Sequence, residues 1–321
     1  MKIYSSEISG SLRIKGDITA ENYITRTTVT SFTQSFSSGS TIFGDSGDDT
    51  HQFTGSLFIS GSRIALGDGN NNVIVGNLAG DAMTTAYNSV ALGYKAGSAI
   101  TTGQGNIAIG GQALETHTTG YANIAIGRAA MYNTDAGSTS LGSDYNLAIG
   151  ENAMGGVWEN ADSSTNIAIG FYAMGAAPLN GAGNNIAIGS NSLMDLTTGD
   201  YNVMIGRYTG YEITTGEWNT VIGSHAGQNT LDVDSVVMIG ASAGQGVLTS
   251  AADGSIFIGR EAGNAITSGA ANIAIGYQAL KVHTTGGNNI AIGYGAMDDT
   301  NAGSNSLGSG HNTFIGLDSG G

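Results

Sequence analysis

The stretch NIAIGRAAM, Asn123–Met131, decides the fold, because close copies of it recur along most of the chain. Aligned on the glycine that closes each apolar triplet, the copies fall at Gly76, Gly93, Gly110, Gly127, Gly150, Gly170, Gly189, Gly206, Gly223, Gly240, Gly259, Gly276, Gly293 and Gly316. Most neighbours are 17 residues apart, and the spacings of 19, 20 and 23 read as the same unit with a few loop residues inserted. The unit is Asn, an aliphatic residue, Ala, Ile, Gly, two variable positions and Ala, followed by a turn often written Thr-Thr-Gly, as at Thr118–Gly120. A second level of repetition sits above it. ANIAIGYQALKVHTTGGNNIAIG from Ala271 matches GNIAIGGQALETHTTGYANIAIG from Gly105 at an offset of 166 residues, which points to growth by block duplication.

Seventeen residues with frequent glycine are too few for two helices and a turn, and the apolar triplet has period 2 instead of 3.6. The spacing therefore predicts an all-β fold, a parallel β-solenoid of about 14 coils over residues 71–316, one unit per coil. Strands of three to five residues stacked about 4.8 Å apart make a rod of roughly 65 to 70 Å. Residues 317–321 form a short C-terminal end.

Within the triplet the residue before glycine is Ile in twelve copies, with Val75 and Leu92 the exceptions, and the residue two places earlier is nearly always Ile, Val or Leu. The expectation is that these two point into the coil. The middle residue then points outward, yet it is apolar too: Ala108, Ala125, Ala148, Ala168, Ala187, Met204, Val221, Met238, Phe257, Ala274 and Ala291. An outward stripe of that kind needs a cover, and further copies of the same chain are the simplest one, so these eleven residues are the expected homotrimer interface. Asn precedes the triplet in eleven copies, where it suits a turn and an amide ladder; Ala three residues after the glycine suits a tight inner corner.

At Asn-h-Ala-Ile-Gly-x-x-Ala the chain resembles the heads of trimeric autotransporter adhesins such as the Yersinia adhesin, and the repeat-bearing fibre proteins of marine bacteriophages. The resemblance covers about Asn71 to Gly316. It implies an intertwined homotrimer of left-handed β-rolls. The period of 17 is longer than the adhesin unit, and the sequence shows no secretion signal, heptad stalk or membrane barrel, which favours a virion protein made in a host cytoplasm. Residues 1–70 differ in texture: GSLRIKG at Gly10 and GSLFISG at Gly55 flank a Ser/Thr/Gly-rich stretch. They resemble the N-terminal parts of phage structural proteins, which implies a β-rich segment that caps the rod and attaches it to other virion proteins.

Composition narrows the partners. A net charge of −15, with 10 basic against 25 acidic residues, gives no footprint for a phosphate backbone or an anionic membrane, so neither nucleic acid nor membrane insertion is expected. With no cysteine there are no disulfides and no thiolate metal sites. His51, His117, His225, His283 and His311 form no metal-binding motif, and His117 and His283, beside Thr-Thr-Gly turns, read as surface residues. The acidic stretch at Gly44–Asp49 and the DGNNN at Asp68 lack a calcium-loop pattern and read as turns. There is no nucleophile elbow or phosphate loop, and Glu151, Glu159, Glu212 and Glu217 fall in loops without an evident partner, so no catalytic residue, metal or cofactor is expected.

The remaining candidates are aromatic: Trp158 in the insertion GGVWENADSST, and Tyr211 and Trp218 in GYEITTGEWN, suited to stacking on a host-surface glycan or on a neighbouring coil. The expectation is a trimeric phage tail fibre or fibre-like appendage that displays a rigid rod for host attachment. The alternatives are a bacterial surface adhesin and an ice-binding solenoid using the Thr-Thr turns.

Overall fold

A computed structural model of the protein describes residues 70–134, 143–159, 161–298 and 310–320; the proposed attachment segment, with the Gly44–Asp49 stretch and His51, lies outside these residues. Among the described residues there is one sheet, whose fourteen strands of three residues run from β1 (Val73–Val75) to β14 (Thr313–Ile315). Each strand pairs in parallel with the next in chain order. The fold is thus an all-β parallel solenoid. No α-helix occurs among these residues, and the single 3-10 turn spans Ser250–Ala252.

Register follows the repeat. Ile124, Ala125 and Ile126 stand beside Ile107, Ala108 and Ile109 on one side, and beside Leu147, Ala148 and Ile149 on the other, across a coil with six extra residues. The insertions therefore leave the sheet untouched and are absorbed elsewhere in the coil. Backbone N–H groups also bond from coil to coil in the turns, as from Leu114 N to Ala130 O (3.0 Å) and Thr101 N to Thr118 O (2.9 Å), so the backbone of a coil is satisfied by its neighbours.

The coil bends where the sequence supplies positive φ. The repeat glycine itself sits near φ +135°, as at Gly127 (+134°). A Cβ there would lie 2.5 Å from Gly150 O in the next coil. Left-handed residues follow two and four places later, as at Ala129 (φ 54°) and Met131 (φ 51°), and precede the buried asparagine, as at Ala122 (φ 53°). With the glycine these make four positive-φ positions per coil, which close a 17-residue turn around a narrow interior.

That narrow interior reverses the expected faces of the strand. Ala108, Ala125, Ala148, Ala168, Ala187, Met204, Val221, Met238, Phe257, Ala274 and Ala291 are all fully buried inside a single chain, so they are its core and not an interface. The flanking rows lie on the outer face instead: Ile107 and Ile109 are half-exposed, as are most of their equivalents along the sheet, and Val75, Ile205, Thr313 and Ile315 are exposed. Parity explains the outcome. The asparagine before the strand is buried, as at Asn106 and Asn123, and period 2 puts the middle residue on the asparagine's side and both isoleucines on the other.

The core is filled by size compensation. Where the middle residue is Ala, the residue six places on is Leu or Met, as in Ala108 with Leu114, Ala125 with Met131, Ala187 with Leu193 and Ala291 with Met297. Where the middle residue is large, that position is Gly, as in Met204 with Gly210, Val221 with Gly227 and Met238 with Gly244. The first full coil is the exception, with Ala91 and Gly97, and there Ile100 fills the space. Trp158 occupies the coil widened by the GGVWENADSST insertion and is fully buried.

Candidate interaction surface

The outer face of the sheet carries two parallel rows of aliphatic side chains, Val73 to Thr313 and Val75 to Ile315, broken only at Thr220 and Thr313. β-Branched residues fit a flat pleated face, which accounts for their use here. Thirteen steps of about 4.8 Å, by a strand width of about 10 Å, give a footprint of roughly 600 Å². That is at the top of what a soluble monomer exposes in one patch.

Each border of this stripe has its own character. Directly after the repeat glycine the charged and aromatic residues are Tyr94, Arg128, Glu151, Phe171, Arg207, Arg260, Tyr277 and Tyr294, and the other six coils have Asn77, Gly111, Ser190, Ser224, Ala241 and Leu317. Tyr94, Phe171 and Tyr294 are exposed, Arg207 lies over the Tyr208 ring (4.6 Å to the centroid), and Tyr277 stacks on Tyr294 (5.1 Å). Arg128 forms an ion pair with Glu151, so that glutamate is not the unpartnered loop residue expected. Arg260 reaches Glu261 at 3.1 Å; hydrogen bonds from Lys281 and Gln278 hold the Glu261 carboxyl down at about 2.

The opposite border, five and six residues before the repeat glycine, is acidic and aromatic: Asp144, Tyr145, Asp200, Tyr201, Glu217, Trp218, Asp234 and Asp253. The aspartates also serve the backbone. Asp234 Oδ1 accepts Glu217 N–H (2.7 Å) and Asp253 Oδ1 accepts Asp234 N–H (2.9 Å). Tyr201 and Trp218 stack face to face, with ring centroids 4.0 Å apart and planes 8° from parallel.

The three aromatic candidates are not brought together. Trp218 is exposed, as a recognition residue needs to be. Tyr211 stands in a different part of the coil, half-buried and packed on Tyr208 (5.5 Å), where burial and the nearby Asp195 push its hydroxyl above the ordinary tyrosine value. Trp158 is a correction: its insertion turns inward, so the ring fills the core and has no exposed surface for a ligand. The sequence gives no sign of which way that loop folds. The partner of Trp218, Tyr201, is found only by reading the 17-residue register across coils.

His117 and His283, expected at the surface, are fully buried. Each follows an Ala/Leu pair and fills the same core position seven residues after a repeat glycine. His117 Nδ1 lies 3.0 Å from Thr134 Oγ1 and its Nε2 lies 3.1 Å from Asn123 Nδ2; burial lowers its pKa to about 4. His225 stacks on Tyr208, and its Nδ1 lies 2.7 Å from Gln228 Oε1. Among the described residues no three His, Asp or Glu side chains group as metal ligands, and no helix is long and apolar enough to cross a membrane.

The threonine turns are used within the rod. Thr84 donates to Thr101 O (3.0 Å), Thr101 to Thr118 O (3.2 Å), Thr197 to Thr214 O (2.9 Å) and Thr267 to Thr284 O (3.2 Å). These hydroxyl protons point along the stack. No protein-family model and no curated protein matches the chain.

Proposed function

We propose that the chain is a rod-forming structural protein, a phage virion fibre or fibre-like appendage, whose copies assemble side by side as a homotrimer through the two aliphatic rows. The observation that carries the reading is the stripe itself: Ile, Val and Leu recur in both outer rows at almost every coil, although a solitary solenoid needs polar residues there. Covering it with a second copy doubles the buried area to roughly 1,200 Å², at the lower end of stable protein interfaces, and a third copy adds further contact. Function then consists of reach and display. Trp218 and Tyr201 lie at the rim of the stripe beside Glu217 and Asp200, and the part of the stacked pair that the neighbouring copy leaves uncovered is the aromatic surface for weak, repeated contact with a host glycan, with repetition over three copies raising the avidity.

The test compares the parent chain with I186K/I188K, two lysines on the outer face, and with A187E, a charge in the core. Light scattering on the eluting protein is expected to show three chains for the parent and one for I186K/I188K, with the β-sheet circular dichroism of the parent retained. A187E is expected to lose the fold. A parent chain that elutes folded at the mass of one chain overturns the assembly, and antibody labelling of purified particles decides whether the rod is on a virion.

A further inference from the structure

The two borders of the aliphatic stripe differ in charge: the row after the repeat glycine carries three arginines and one acid, Glu151, which pairs with Arg128, whereas the opposite row carries five acids and no cation. Every arginine among the described residues, Arg128, Arg207 and Arg260, occupies the position directly after a repeat glycine, and all three are exposed. Six residues before the repeat glycine stand Asp144, Asp200, Glu217, Asp234 and Asp253, and no described coil has a cation there. The last four occupy consecutive coils. Their spacing of about 4.8 Å along the rod sets like charges beside one another, an arrangement that a facing cation relieves.

The levels match as well as the signs. Arg207 and Asp200 belong to the coil closed by Gly206, with Glu217 one coil further on; Arg260 and Asp253 belong to the coil closed by Gly259. Arg207 has no carboxylate within ion-pair distance among the described residues.

Symmetry turns this into a choice of direction. When two copies meet stripe to stripe with their chains running the same way, the arginine border of each lies along the acidic border of the other, and the same holds around a three-fold axis. When one copy is reversed, arginine meets arginine and carboxylate meets carboxylate. Opposite charges at a rim steer and select partners even where they add little affinity.

We infer that the borders are a polarity code between copies, in which Arg207 faces the partner's Asp200 and Glu217, and Arg260 faces the partner's Asp253, so that copies pack only in parallel and in register. The inference rests on the side-by-side assembly proposed above.

The parent chain contains no cysteine, so an engineered pair reports the contact directly. Within one chain positions 200 and 207 stand on opposite borders of the stripe with the strand Val203–Ile205 between them, and an oxidised band at the mass of one chain counts as no interchain link. Oxidised R207C/D200C is expected to run as a covalent trimer on a non-reducing gel, while R207C alone stays unlinked. In addition, R207E/R260E, altered only at exposed positions, is expected to associate about ten-fold more weakly at low salt and to show a flatter salt dependence. A trimeric parent with no interchain link in R207C/D200C, self-linked R207C, or unchanged association of R207E/R260E overturns the code and leaves the assembly standing. A monomeric parent overturns the assembly and the code together.

Discussion

A Cβ on Gly263 would sit 2.6 Å from Cδ1 of Phe257, six residues earlier in the same coil, so the largest middle residue of the core is admitted by the absence of a side chain opposite it. Gly263 is also left-handed, at φ +60°. Gly263→Ala therefore combines a clash against a buried ring with backbone strain, and is expected to destabilise the fold by about 2–4 kcal/mol. Phe257→Ala alone leaves a cavity costing about 3–5 kcal/mol. The double variant F257A/G263L recreates the Ala274 and Leu280 pair of the next coil and is expected to return to within about 1.5 kcal/mol of the parent. Thermal melts of the three variants check this, and strict additivity of the two single effects refutes the compensation.

This pairing shows how much of the fold was legible. The repeat glycines, the parallel stack and its register could all be read from residue letters, because period and spacing depend only on the chain. The inner face could not be read from hydrophobicity, since Ile107, Ala108 and Ile109 are all apolar and either parity looks plausible. Two weaker signals did mark it. Asn106 and Asn123, if laddered inside, force the middle residue inward, and the alternation of Ala125 with Met131 against Met204 with Gly210 only makes sense for side chains that touch. Trp158 and His117 are buried where the sequence alone points to the surface, because a loop's direction and a polar residue's burial depend on partners from other coils, here Thr134 and Asn123 for His117.

The asparagine ladder is the polar counterpart of that core. Asn185 Oδ1 accepts the N–H (3.0 Å) and the side-chain amide (3.0 Å) of Asn202, while its own amide donates to Asn166 Oδ1 (3.1 Å) and Gly199 O (2.8 Å). Asn185→Leu orphans several buried groups and is expected to cost about 3–5 kcal/mol. Asn185→Ser keeps an acceptor for the next coil, as Ser89 Oγ does for Asn106 N (3.2 Å), and is expected to cost roughly half as much. Denaturant midpoints rank the two; a leucine variant as stable as the serine one refutes the ladder's importance.

Glycines of equal frequency in the sequence differ in what they tolerate. A Cβ on Gly150 would lie 2.5 Å from Gly170 O and 2.7 Å from Gly170 C, backbone atoms that cannot turn away. Gly254, at φ +70°, has nothing within 4 Å, and its equivalents in other coils are Asn184 and Asn288 at φ 59° and 58°. Gly150→Ala is expected to disrupt the local stack and Gly254→Asn to change stability by no more than about 0.5 kcal/mol. Hydrogen exchange of the strand amides around Ala148 distinguishes them, with protection lost only in the first variant.

His117 gives the rod a calculable response to acid. Burial favours the neutral ring and lowers the folded pKa from 6.5 to about 4, although Gly120 O and Asp144 pull it upward. At pH above 6.5 both folded and unfolded chains hold a neutral His117, so its contribution to stability is complete there. Between 6.5 and about 4 the unfolded chain takes up a proton that the folded chain refuses, so stability falls steadily as pH drops through this window and levels off below it. The full loss is about 3 kcal/mol. His117→Asn, which keeps a polar group near Thr134 and Asn123 but cannot take up that proton, is expected to flatten the decline between pH 6.5 and 4 by this amount while costing some stability at pH 7. Urea unfolding across that window measures both slopes, and identical pH profiles for the parent and His117→Asn refute a buried neutral ring at this position.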